Sequence, residues 1–237
     1  MKVLHIRKNQ TMNKKANLMD IEKNIRDYIQ GDNNTQGIKP FERYASFDYC
    51  FNYFQKFREL NRLDELASSE NLQMGCLQLG FYLASWGMLR GSSFLLQKSV
   101  KVYEPLIKAI TNANPDLWEI DADCYTSENI KTILEFAKTI NQSFNSNIPS
   151  DILVTKIMLG VFGNIPAFDS FFKIGFRVST FGKYALEKVS AFYQENSSVI
   201  DNSRLATLDF FTGRPTNRLY TRAKVIDMIF FIEGSKP

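Results

Sequence analysis

The strongest constraint lies between Asp151 and Phe172. From Asp151 to Phe162 only Asp151, Thr155 and Lys156 are polar, and the run is closed by Gly163, Pro166 and Asp169 before apolar residues resume at Phe171-Phe172. A helix apolar on every side has to be buried, so the chain must wrap other elements around one that begins near Ser150 and breaks at Gly163. The turn through Pro166 then presents a single acid, Asp169, between two apolar runs. Such an acid is costly unless it caps, pairs or reacts. Asp169 is therefore read both as the N-cap of a helix starting at Ser170 and as a candidate catalytic carboxylate.

The chain has 237 residues and 44% hydrophobic content, with 20 Phe, enough for a substantial aromatic core. Its only histidine is His5, which excludes serine triads, histidine catalysis and His-rich metal sites. Carboxylate or lysine must carry any chemistry. Cys50, Cys76 and Cys124 form no CxxC pair, a pattern for reduced thiols with no metal site and no cofactor. A net charge of +4 favours an anionic partner such as nucleic acid. The most apolar window, Leu77 to Leu96, is interrupted by Gln78, Arg90, Ser92 and Ser93, and the N-terminus shows only a Val3-Leu4 patch. The expectation is a soluble cytoplasmic protein without a membrane span or signal peptide.

The spacing predicts an all-α, multi-helix globular fold: a flexible tail over 1–18, then one helical domain over 19–237, dividing into two lobes near 113–126. Helices are expected over 20–30 (Ile21, Ile25 and Ile29 in register), from Ser46 through Phe57, and in 72–97 with a break near Gly87 or Gly91. Others are expected over 101–112, from Thr126 or Ser127 through Ile140, over 183–195, and over 214–232 with Pro215 in its first turn. No stretch alternates as a strand does.

Four further groups can carry chemistry. Lys156, inside the apolar helix, is either a buried amine with a lowered pKa, usable as nucleophile or base, or a snorkelling side chain. Trp86 to Ser93 surrounds Arg90 with glycines and hydroxyls, suiting either ligand contact or an internal ion pair. Thr212 to Lys224 carries Arg214, Arg218, Arg222 and Lys224 and no acid, which fits either a phosphate-backbone footprint at the start of the last helix or a solvated basic turn. Ser46, Asp48 and Asn52 can face a base, or Ser46 can simply cap its helix.

The run Val154 to Gly163, followed by Ile165-Pro166-Ala167-Phe168-Asp169-Ser170, resembles the helix-hairpin-helix DNA glycosylase superfamily, in which an apolar helix ends near Phe-Gly and a Pro-containing turn delivers the catalytic Asp. Lys224 to Gly234 looks like the last helix of bacterial proteins in the oxoguanine-glycosylase-like branch. The resemblance implies two helical lobes with a cleft, and double-stranded DNA as partner. A damaged or modified base, such as a modified base of phage DNA in anti-phage defence, would be flipped and excised by hydrolysis. Asp169 is then the catalytic carboxylate. Trp86, Arg90, Tyr49, Phe168 and Asn52 would form the base pocket, and Ser150, Arg214, Arg218, Arg222 and Lys224 would contact the DNA backbone. Bifunctional members place their nucleophilic lysine elsewhere relative to the Asp, so the implied enzyme is monofunctional, with Lys156 as a secondary candidate. Pro149 to Ile152 lacks the glycines with which the family holds a phosphate, and the cysteine spacing excludes an iron–sulfur cluster. The alternative is a non-catalytic helical module that binds nucleic acid or protein on the same scaffold.

Overall fold

A computed structural model describes residues 19–31, 36–145 and 147–236. The expected tail over 1–18, with His5, lies outside the described residues. Among those described, the chain is mostly helical: α1 (Ile21–Gln30), α2 (Ala45–Glu59), α3 (Leu72–Ser85), α4 (Glu104–Thr111), α5 (Ser127–Gln142), α6 (Asp151–Phe162), α7 (Ser170–Phe176), α8 (Lys183–Asn202) and α9 (Arg222–Ser235). No described helix is long and apolar enough to cross a membrane.

α6 is the buried axis. Every residue from Leu153 to Phe162 is buried, and the helix packs on α2, α3 and α5. Ser150 caps its start by accepting from the Leu153 amide at 3.3 Å. Gly163 ends it in the left-handed conformation at φ +70°. A Cβ there would lie 2.8 Å from both the Phe51 ring and Thr221 Cγ2. Gly163→Ala is therefore expected to lower stability by about 2 kcal/mol in a urea titration, combining left-handed strain with a clash.

α9 is the second buried element, flanked by α1, α7 and α8. It crosses α7 closely, because Gly175 and Gly234 bring the two backbones together; a Cβ on Gly175 would sit 2.5 Å from the Phe230 carbonyl oxygen. One continuous hydrophobic cluster, rich in Phe and Tyr, joins the elements around α6 to those around α9.

Three expectations about elements are corrected. Strands do form: β1 (Ala206–Leu208) pairs antiparallel with β2 (Pro215–Leu219). The last helix consequently starts at Arg222, capped by Thr221, rather than at Arg214. Pro215 opens a short edge strand, a position that asks for no ladder donor. Ser46 is not a cap either; it lies inside α2 and its hydroxyl donates to the Arg43 carbonyl at 2.7 Å.

Candidate active site

The turn between α6 and α7 is held at four backbone atoms. Thr221 donates its hydroxyl to the Gly163 carbonyl at 2.6 Å, and Tyr125 donates to the Asn164 carbonyl at 2.5 Å. The Ala167 amide donates to Asp227 Oδ1 at 3.0 Å and the Phe168 amide to Thr155 Oγ1 at 2.9 Å. Asp169 follows directly and is fixed as the N-cap of α7, its Oδ1 accepting from the Phe172 amide at 3.0 Å. A side chain with so little freedom is pre-organised for whatever its second oxygen does.

That oxygen, Oδ2, stands 3.5 Å from Lys156 Nζ, with Lys156 5% and Asp169 8% exposed. Lys156 also donates to the Trp86 carbonyl at 2.9 Å, at the end of α3 where helix carbonyls favour a cation. Burial lowers the Lys156 pKa, while the carboxylates of Asp169 and Asp227 pull it back up. The snorkelling reading is thereby corrected: the amine ends inside, on a carboxylate and a carbonyl.

Both groups line a cavity of about 490 Å³ whose walls include Trp86, Phe171 and Phe231, with Arg43, Arg90 and Ser170 also on its lining. Arg90 is exposed and has no carboxylate within 4.0 Å among the described residues, so the internal ion pair expected for it does not form. Beneath the floor a second buried pair, Lys224 and Asp227, meets Lys156 and Asp169 around a small void also bounded by Tyr82 and Trp86. Lys224 Nζ donates to Asp227 Oδ2 at 2.9 Å and to Tyr28 Oη at 3.0 Å. Burial raises the Asp227 pKa, Lys224 lowers it, and Asp169 raises it again. Set against known proteins, the chain matches no family model, no curated protein and no solved structure.

The structure thus brings together Asp169, Lys156, Trp86 and Arg90. The other expected site residues are placed elsewhere. Phe168 is fully buried in the core. Tyr49 donates to the Pro40 carbonyl at 2.6 Å and lines a different groove. Asn52 is spent on the hairpin, donating to the Leu208 carbonyl and accepting from Thr207, and Asp48 holds the Leu208 amide and the Tyr220 hydroxyl. The basic segment is not an open patch. Arg218 is paired with Glu59, Arg222 is held by Asp121, Asp123 and Asp201, and Lys224 is 2% exposed. Of the four, Arg214 is exposed and makes no ion pair among the described residues. Ser150 is exposed at the start of α6, with its hydroxyl committed to the cap. Arg43, Phe171, Phe231 and Asp227 belong to the site and its support without having been singled out from the sequence.

Proposed function

We propose that this chain is a DNA glycosylase-like hydrolase that releases a damaged or modified base, with Asp169 as its catalytic carboxylate. The observation that carries the reading is the buried Asp169–Lys156 pair on the floor of an aromatic-walled cavity, with two arginines on its lining that pair with no carboxylate among the described residues. The helix–turn–Asp arrangement from α6 to α7 supports a helix-hairpin-helix-like scaffold for the same activity.

An everted base would stack between Trp86 and Phe171, with its sugar toward Asp169. Cleavage of the bond from C1′ to the base nitrogen leaves positive charge on the sugar, which the Asp169 carboxylate stabilises. Water adds to C1′ and gives its proton to Asp169. The bonding electrons leave with the base, whose nitrogen takes a proton; Lys156, on the cavity lining with a pKa lowered by burial, would supply it. Arg43 and Arg90 suit the flanking phosphates.

The test is base release from oligonucleotides carrying damaged bases and modified phage-type bases, read as alkali-labile abasic sites. Asp169→Asn keeps a capping side chain and a neutral acceptor beside Lys156, and its melting transition, read alongside, establishes that it is folded. Release is expected to fall at least about a hundredfold while DNA binding persists. A second reading, a non-catalytic binding module, is favoured by one fact: both Asp169 oxygens already have structural partners. DNA binding by the unaltered protein with no release from any of these substrates would establish it.

A further inference from the structure

Beside the candidate active cavity runs a groove of about 520 Å³ lined by Phe41, Tyr49, Leu77, Phe81 and Phe210. Its rings are open to solvent, Phe81 being 70% and Phe210 66% exposed. Groove and cavity share Arg43 and Ser85, and Phe81 and Ser85 lie one turn apart on α3, so the two openings are neighbours on one helix. Arg43 stands at the junction. Its guanidinium is 5.2 Å from the Trp86 ring centroid and 5.3 Å from that of Tyr44, with no carboxylate within 4.0 Å among the described residues. The β1–β2 turn seats Gly213 against Pro40 and carries the exposed Arg214 to the same edge.

We infer that the groove binds the base of the nucleotide adjacent to the one in the cavity, with Arg43 on the phosphodiester between them. A nucleobase offers flat faces to open aromatic rings, and stacking on them is tolerant of sequence. An arginine already laid across aromatic rings presents its fork to a phosphate with little further ordering. A wholly apolar partner would instead cover Arg43 without neutralising it. The substrate class follows: a strand unstacked over two successive nucleotides, so single-stranded or bubble DNA is bound in preference to intact duplex. The identity of the strand rests on the proposed function; the binding assay below needs no chemistry.

The experiment uses the Asp169→Asn protein and single-stranded, bubble and duplex oligodeoxynucleotides with 2-aminopurine on either side of the target nucleotide. The expected result is a fluorescence change at one neighbouring position, with single-stranded and bubble DNA bound most tightly. Phe81→Ala and Phe210→Ala, both at exposed positions, should abolish that change and weaken binding about tenfold, and Arg43→Ala should weaken it similarly. Unchanged fluorescence and affinity in these variants, with DNA still bound, overturns the groove assignment alone. Loss of self-association in the Phe variants during sedimentation, with DNA affinity unaltered, makes a second copy of the chain the occupant and overturns it too. Persistence of the fluorescence change when the unaltered protein releases no base removes the hydrolase reading and leaves the groove assigned.

Discussion

Lys224→Met is expected to destabilise the protein by about 3–5 kcal/mol at neutral pH, because it removes one partner of a buried pair and strands the other. The Lys224 ammonium group lies 4.9 Å from the Tyr28 ring centroid and 4.7 Å from that of Phe47, donating to Asp227 and to the Tyr28 hydroxyl. Without it, Asp227 keeps the Ala167 amide but faces the Asp169 carboxylate with only Lys156 left to offset the charge. Burial already raises the Asp227 pKa, and losing Lys224 raises it further. A carboxyl whose folded pKa lies above its unfolded one contributes most below the unfolded value and loses that contribution as pH rises through the folded one. The deficit of Lys224→Met should therefore shrink as pH falls from the raised folded pKa of Asp227 toward the ordinary carboxylate range, and be smallest below it. Lys224→Met/Asp227→Leu should recover part of the loss, though the Ala167 amide would then lack its acceptor, at a cost of about 1–3 kcal/mol. Urea titrations at two pH values measure both effects. A single variant within about 1 kcal/mol of the parent at neutral pH would show that the pair does not carry this part of the fold.

What could be read from the sequence was local. Ser150, Gly163 and Asp169 mark the ends of α6 and the start of α7 because capping is settled by residues three or four apart. Asp169 stood out as the lone acid after the turn that joins them. Its pairing with Lys156, two turns back inside α6, was not legible, because a lysine stem there could equally lead its amine to the surface. Nor was the hairpin: β1 and β2 span three and five residues, too few for alternation to register, and Pro215 suits an edge strand as well as a helix start. The basic segment misled for a different reason. Glu59, Asp121 and Asp201 neutralise Arg218 and Arg222 from distant parts of the chain, and no window around residue 220 contains them. Lys224 and Asp227 look like a solvent-facing i,i+3 pair. The apolar residues on both sides of that pair, Ala223, Val225, Ile226 and Met228, were the available signal that α9 has no wet face there. Arg43 carried no such signal, since its value comes from Trp86, more than forty residues away.

Gly234→Ala is expected to cost at least about 3 kcal/mol, which for a chain of this size lowers the melting temperature by roughly 6–12 °C. A Cβ on Gly234 would fall on the Phe171 carbonyl oxygen, far inside van der Waals contact, and 2.8 Å from the Gly175 amide nitrogen. Both are main-chain atoms of α7, so no rotamer change can relieve the clash; α7 or α9 must move as a unit. Gly182→Ala is the control, because nothing lies within 4 Å of a Cβ there and its backbone is extended. It should stay within about 0.5 kcal/mol of the parent in the same melt. The crossing has a consequence beyond stability. It sets the height of α7 against α9, and with it the separation between Asp169 at the start of one helix and Asp227 on the other. Displacing α7 also draws Asp169 away from Lys156, which is anchored to α6 and to the end of α3. Under the hydrolase reading, folded Gly234→Ala should therefore lose base release well below its melting temperature, whereas Gly182→Ala should not. A Gly234→Ala protein that melts with the parent would mean the two backbones have room to part, and that the position of Asp169 is set by the four-point turn alone.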